Sequence, residues 1–235
     1  MAKIHRFIGD FDLKNKELKI TGEIARQIVN VLKLKIGEKI ELCNEKHISV
    51  IAYIQKIDKK SVLVKIEKFL KQEENKIKVN LFCAILKKEN FELVVQKTTE
   101  CGISKIIPII TSRTIKTGLN IERLRKIAHE ASEQSGRIDV PEILEPISFT
   151  ESLKNNQGEN ILFDASGEYF KNSFNSQYSK FNLFIGPEGG WTQQELTLAK
   201  EKNFRIISLG PLIFRAETAT IIATYIINTN NAPRL

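Results

Sequence analysis

Cysteine is scarce in this chain, and what there is carries no pairing pattern. Cys43, Cys83 and Cys101 are odd in number and lack a CxxC spacing, and all three lie among apolar neighbours. That predicts reduced, structural thiols, not disulfides or a metal site. The three histidines, His5, His47 and His129, are scattered without ligand spacing, so no metal is expected. No apolar run reaches the roughly 20 residues that a membrane-crossing helix needs. The opening MAKIHRFIGDFD has no secretory apolar stretch, so a cytoplasmic location with no membrane partner is expected. GxGxxG is missing, and no Gly-Lys-Ser/Thr follows the glycine turns, which disfavours an NTPase.

Positive charge, by contrast, is plentiful. Lys and Arg number 36 against 28 Asp and Glu, for a net charge of +8. Such a balance favours polyanionic partners without saying anything about fold. The chain is also rich in Lys, Ile and Asn, as an AT-rich genome would produce, so charge alone leaves solvated surface and nucleic-acid binding as open alternatives.

Residues 1–70 have the pattern of a small β module. Lys39–Cys43, Ser49–Ile54 and Val62–Phe69 are short β-branched runs between turn and charge clusters. Thr21–Leu34 has helical spacing, with Ile24, Ile28, Val31 and Leu32 on one face. The charged KQEENK (71–76) reads as a connector, which sets expected domains of 1–72 and 73–235. Beyond it, strands and helices alternate. Strands are expected at Ile77–Leu86, Lys105–Ile110, Ile161–Phe163, Phe181–Ile185 and Ile206–Leu209. Helices are expected over Lys88–Cys101, after Asn120, after Thr192 and over Ala216–Ile227. Pro108 suggests that its strand lies at an edge or ends there. The final helix is apolar nearly all round, which suits a core position, a dimer interface or both. The overall expectation is an α/β fold with a mainly parallel sheet.

Two segments carry the chemistry. FNLFIG runs into GPEGGWTQQE, and a later apolar run ends in SLGPLIFRAETAT. Glycine loops at the carboxyl ends of strands let backbone amides approach a small ligand in an open α/β sheet. Two tight strand–helix turns without a ligand would show the same spacing.

These segments closely resemble the motifs of the ribosomal RNA small subunit methyltransferase E family, which belongs to the SPOUT class of knotted methyltransferases. QKTTECGISKIIPIITSRT (96–114), EASEQSGRIDVPEI (130–143), HRFIGD and VLKLKIGEKIEL (31–42) resemble further blocks of that family, in the same order. The resemblance implies a trefoil-knotted catalytic domain, a PUA-like N-terminal β-barrel that grips RNA, and a homodimer. It implies S-adenosylmethionine as cofactor and 16S rRNA of the small ribosomal subunit as partner. The implied reaction is methylation of N3 of one uridine. Leu162, Ile185, Gly186, Pro187, Glu188, Gly189, Gly190, Leu209, Gly210, Ile213, Phe214 and Arg215 are the candidate cofactor residues. Uridine N3 must lose a proton, which makes Glu217 the candidate base and Arg215 or Arg113 the candidate cation. A salt bridge from Arg215 to Glu188 or Glu217 is an equally open reading. Candidate RNA contacts are Arg6, Lys33, Lys35, Arg113, Lys116, Gln134 and Arg137; Gln134 lies in a block that also reads as a helix end at Gly136. The chain departs from the family pattern at Lys33, Trp191, Leu212 and Phe214, which stand where Arg, Phe, Arg and Leu are usual. Two other readings stay open: a non-catalytic RNA-binding or ribosome-assembly factor, and a SPOUT methyltransferase acting on tRNA.

Overall fold

The computed structural model describes residues 4–44, 47–70, 77–115, 118–154, 157–170 and 178–231. The expected connector at 71–76 and Lys116 lie outside these ranges. The chain forms two compact units: Met1–Glu74 with Ser132–Asp139, and Asn75–Ala131 with Val140–Leu235.

The first unit is built on five strands: β1 (His5–Ile8), β2 (Glu17–Thr21), β3 (Lys39–Cys43), β4 (Ser49–Ile57) and β5 (Ser61–Leu70). They pair in the order β1-β3-β4-β5-β2. Two register shifts between β4 and β5 bend the sheet, and Phe7, Ile40, Leu42, Val50, Ile54, Val62 and Val64 fill its core. β1 and β2 are additions to the strands expected from sequence. The expected helix is split into α1 (Gly22–Arg26) and a π-helical turn over Gln27–Val31. The π turn changes the angular spacing of side chains. Ile28 therefore stays buried, while Val31, expected on the apolar face, is 70% exposed.

The second unit follows the expected alternation. β6 (Lys78–Ala84) leads to α2 (Lys88–Glu100), β7 (Lys105–Ile110) and α3 (Ile121–Ser135), whose start is capped by Asn120 Oδ1 accepting from the Arg123 amide at 3.0 Å. After the short β8 (Glu142–Ile143), β9 (Ile147–Ser148) and α4 (Phe149–Ser152) come β10 (Glu159–Tyr169), β11 (Lys180–Ile185), α5 (Gln193–Glu201), β12 (Arg205–Ser208) and α6 (Ala216–Asn231). The strands form one sheet, ordered β12-β10-β11-β6-β7-β8 with β9 also on β7, and every pairing in it is parallel.

The edge expected at Pro108 is not found. β7 is flanked by β6 on one side and by β8 and β9 on the other. β8 pairs at Lys105 and Ile106, and β9 at Ile109 and Ile110, so Pro108 occupies the gap between two short partners. A missing N–H is tolerated there because the ladder is interrupted on that side.

Alternation along the strands sends side chains to both faces. One face packs Leu81, Ile106 and Ile161 against Phe91 and Val94 of α2, Leu124 of α3, and Ala223 and Ile227 of α6. The other packs Phe82, Ile107 and Phe184 against Phe149 of α4 and Leu196 and Ala199 of α5. Phe82 and Phe184 stack there at 4.4 Å between ring centroids. Near the amino ends of the central strands, three asparagines in register form a ladder. Asn80 donates to Asn182 Oδ1, and Asn182 donates to Asn160 Oδ1, each at 2.9 Å.

Candidate active site

A cavity of about 720 Å³ opens at the carboxyl ends of β10, β11 and β12, walled on the helix side by the starts of α2 and α6. Its size is that of a small-molecule or cofactor site. Two loops make most of its surface.

The first loop leaves β11 at Ile185. The Gly190 amide donates back to the Pro187 carbonyl at 2.8 Å, with Gly190 at φ +69°. Trp191 then folds under the loop. It is buried, its Nε1 donates to the Phe163 carbonyl at 3.0 Å, and its ring lies so close to Gly186 that a Cβ there would meet it at 3.0 Å. A larger residue there would have to push the ring back by a few tenths of an ångström.

Thr192 and Glu195 form the expected capping box at the start of α5. The Glu195 carboxylate does more than cap. Oε2 accepts from the Thr192 amide at 2.8 Å, and Oε1 accepts from the Ser112 amide at 2.9 Å. Burial pushes this carboxyl up, but the hydrogen bonds from Ser112 and Thr192 outweigh it, and the group sits below its ordinary value. Beside Ser112, Arg113 Nη1 donates to the carbonyls of Gly189 at 2.6 Å and Trp191 at 3.2 Å.

The second loop spans residues 209–215. Its hydrogen bonding is sparse: Ser208 Oγ donates to the Gly210 carbonyl at 3.0 Å. Leu212 and Ile213 are 72% and 91% exposed, yet both line the cavity. Arg215 is also exposed, and among the described residues its side chain pairs with neither Glu188 nor Glu217.

Glu217, in the first turn of α6, is only 8% exposed, and among the described residues its buried Oε2 has no hydrogen-bond partner. A buried carboxylate oxygen in a cavity wall calls for an N–H donor or a cation. Beneath it lies Cys83, whose thiol is pushed up to about 12, chiefly by burial, against a lowering hydrogen bond from Thr220; the carboxylates of Glu188 and Glu217 add to the rise. That thiol stays protonated and inert.

The cavity thus brings together Ile185, Gly186, Pro187, Glu188, Gly189, Gly190, Leu209, Ile213, Phe214, Arg215 and Glu217. Gly210 turns the chain at φ +148° outside the lining, and Leu162 is fully buried in the core. The strand's alternation turns Leu162 away from the cavity and Phe163 toward it, and the irregularity that follows brings Asp164 and Ala165 to its wall as well. Asp164 accepts from the Ser166 amide at 2.9 Å, so a tight turn interrupts β10 there. DASG after an apolar run was the available sequence signal for it. Lys87, Asn90 and the Ser112–Glu195 link had no local signal.

In the first unit, Arg6 is committed. Its Nη2 makes a bidentate pair with Glu41 at 2.8 and 2.9 Å, and its Nη1 donates to the Arg137 carbonyl at 2.8 Å. Arg137 pairs with Asp139 at 3.1 Å. Lys33, at φ +52°, Lys35 and Gln134 are exposed. Among the described residues there is no cluster of three or more His, Cys, Asp or Glu able to hold a metal, and no helix long and apolar enough to cross a membrane.

Comparison with known proteins agrees with this geometry. The family described as RNA methyltransferase domain matches residues 73–228, and that described as RNA methyltransferase PUA domain matches residues 20–67. The ribosomal RNA small subunit methyltransferase E of Rickettsia conorii is 37% identical over 202 residues, covering 83% of this chain and 82% of its own. The chain belongs to the ribosomal RNA small subunit methyltransferase E family. Its Bacillus subtilis member is 33% identical over 222 residues, covering 87% of this chain and 86% of its own. The family's structure from Neisseria gonorrhoeae, solved bound to S-adenosyl methionine, is 26% identical with a TM-score of 0.89, over 97% of this chain and 98% of that one. The family resemblance and the α/β-plus-PUA architecture expected from sequence both stand.

Proposed function

We propose that this protein transfers a methyl group from S-adenosylmethionine to small-subunit ribosomal RNA, at N3 of one uridine. The observation that carries the reading is the cavity itself. In a member of this family, two glycine loops at three strand ends enclose a cavity with an unpartnered carboxylate oxygen in its wall. The cofactor supplies a methyl group already activated on a cationic sulfur.

The residues present fit such a ligand. Leu209 and Phe214 offer apolar surface for an adenine ring, and the main chain around Gly189 and Gly190 offers polar partners at close range. In this reading Glu217 accepts the N3 proton of the target base, and Arg215 balances charge developing on the uracil oxygens or holds a carboxylate or phosphate.

The same reading assigns residues 1–72 to gripping RNA and 73–235 to catalysis, with Lys33, Lys35 and Lys116 as backbone contacts and Gln134 near the target base or ribose. It includes a homodimer, a trefoil knot and a cytoplasmic location. The knot has support in the strand order: the chain passes from β11 over β10 to β12, then returns as α6 to pack on β11 and β6. The dimer has support in α6, which keeps Tyr225 exposed beside a buried apolar face.

The test is methyl transfer from labelled cofactor onto purified small subunits, naked small-subunit rRNA and tRNA, with the product nucleoside identified by mass spectrometry. N3-methyluridine from the ribosomal substrates, and its loss in Glu217→Gln with cofactor affinity retained, is the expected result. Another methylated base, or transfer to tRNA alone, refutes the substrate assignment.

A further inference from the structure

We propose that Arg113 is a positioning residue that couples RNA binding to cofactor binding, by holding the first glycine loop with one nitrogen and an RNA phosphate with the others. This rests on the methyl-transfer reading above.

The argument begins with the divided guanidinium. Nη1 donates to the carbonyls of Gly189 and Trp191, at 2.6 and 3.2 Å. Arginine carries five N–H donors in a rigid fork. Among the described residues, Nε and Nη2 of Arg113 have no protein partner, and the residue is exposed. One end of a planar cation is therefore fixed on the cofactor loop while the other presents unpaired donors to solvent. Bidentate donation to a phosphate suits those donors.

The segment that carries Arg113 is itself held firmly. Thr111 and Thr114 close a turn through the Thr111 amide and Thr114 Oγ1 at 2.9 Å and the Thr114 amide and Thr111 carbonyl at 3.2 Å. The Ser112 amide is tied to Glu195 at the foot of the same glycine loop. A pull on the guanidinium is thus not absorbed by a slack backbone.

The loop end of the contact is equally specific. A peptide unit is planar, so a fixed Gly189 carbonyl fixes the direction of the Gly190 N–H in the same plane. Gly189 also runs close under the Arg113 side chain, where a Cβ would lie 3.3 Å from Cδ. Of the contacts that hold this loop, the Arg113 one comes from an exposed side chain, and a phosphate on its remaining nitrogens would fix that contact. The order gained by one ligand then lowers what the other must spend, which is positive coupling without a change of fold.

Coupling between two ligands is reciprocal, and that makes the proposal testable with the full-length protein. Binding of S-adenosylhomocysteine, which cannot react, is measured by calorimetry with and without saturating in vitro transcribed small-subunit rRNA. Binding of that rRNA is measured with and without S-adenosylhomocysteine. In the wild type each ligand tightens the other by the same factor, about 5-fold or more. In Arg113→Gln the factor falls to near unity, and the dependence of rRNA binding on salt loses about one phosphate contact. Arg113→Lys keeps the charge but not the fork, so it recovers most of the rRNA affinity without the coupling. Thermal melting with each variant reports an intact fold.

Equal coupling in the wild type and Arg113→Gln overturns the proposal, as does independent binding of the two ligands to a wild-type enzyme that methylates rRNA. A wild type that binds no S-adenosylhomocysteine and methylates no rRNA instead overturns the function on which the proposal rests.

Discussion

The two loops that enclose the cavity leave the strands on either side of β10, yet they are held in opposite ways. The 186–191 loop is tied down from below by the Trp191 indole, from the side by Arg113 and at its exit by Glu195. The 209–215 loop has one side-chain hydroxyl and a row of exposed apolar residues. The first is largely built before a ligand arrives, with the exposed Arg113 contact as its one support open to solvent. The second carries apolar area that the described residues leave uncovered, and its contribution appears on binding.

That contrast can be broken most forcefully at Trp191. Trp191→Ala removes the floor of the first loop and should cost about 3–5 kcal/mol of stability, with cofactor affinity falling at least ~10-fold; denaturant unfolding and calorimetry measure the two. Glu195→Ala should cost about 2 kcal/mol, since it loses the cap and orphans the Ser112 amide. Glu195 also gives the loop a pH signature. Its folded value lies below the ordinary 4.5, so its contribution is complete above that value and is lost as pH falls through the lower, folded one. Glu195→Gln should flatten that acid limb of the stability curve, and an unchanged limb would assign it to other carboxylates. Gly190→Ala has open space for its methyl group but a left-handed backbone, and should cost about 1–2 kcal/mol by melting. Least disruptive to the fold is Leu212→Ser with Ile213→Ser, which should change stability by no more than about 0.5 kcal/mol while weakening cofactor binding. If this pair destabilises the protein as Trp191→Ala does, the contrast between the loops is false.

Much of this was legible where information is local. Continuous apolar runs gave the central strands, Asn120 and Thr192–Glu195 marked two helix starts, and the glycine loops marked the cavity. What escaped depends on residues far apart in the chain. Trp191 reads as a replacement for Phe until its indole is seen on the Phe163 carbonyl. Arg6 has the character of a phosphate contact until Glu41 is found across the sheet. Pro108 suggests an edge because no spacing rule reveals that its outer neighbours are two short strands with a gap between them. Leu162 and Phe163 are equally apolar, and only the pleat decides which of them faces the cavity.

The asparagine ladder has a consequence at the far end of the sheet. Parallel strands have no hairpin to set their alignment, and β6 lies far in the chain from β10 and β11. Slipping one of them by a single residue would turn its amide into hydrocarbon and move its carboxyl end by about 3.3 Å relative to its neighbours. The turn at Asp164, the loop at Gly186 and the start of α2 all hang from those ends. Asn80, Asn160 and Asn182 therefore work as an alignment gauge: polar groups that never touch the ligand, set at one end of the strands, fix where three walls of its cavity meet at the other.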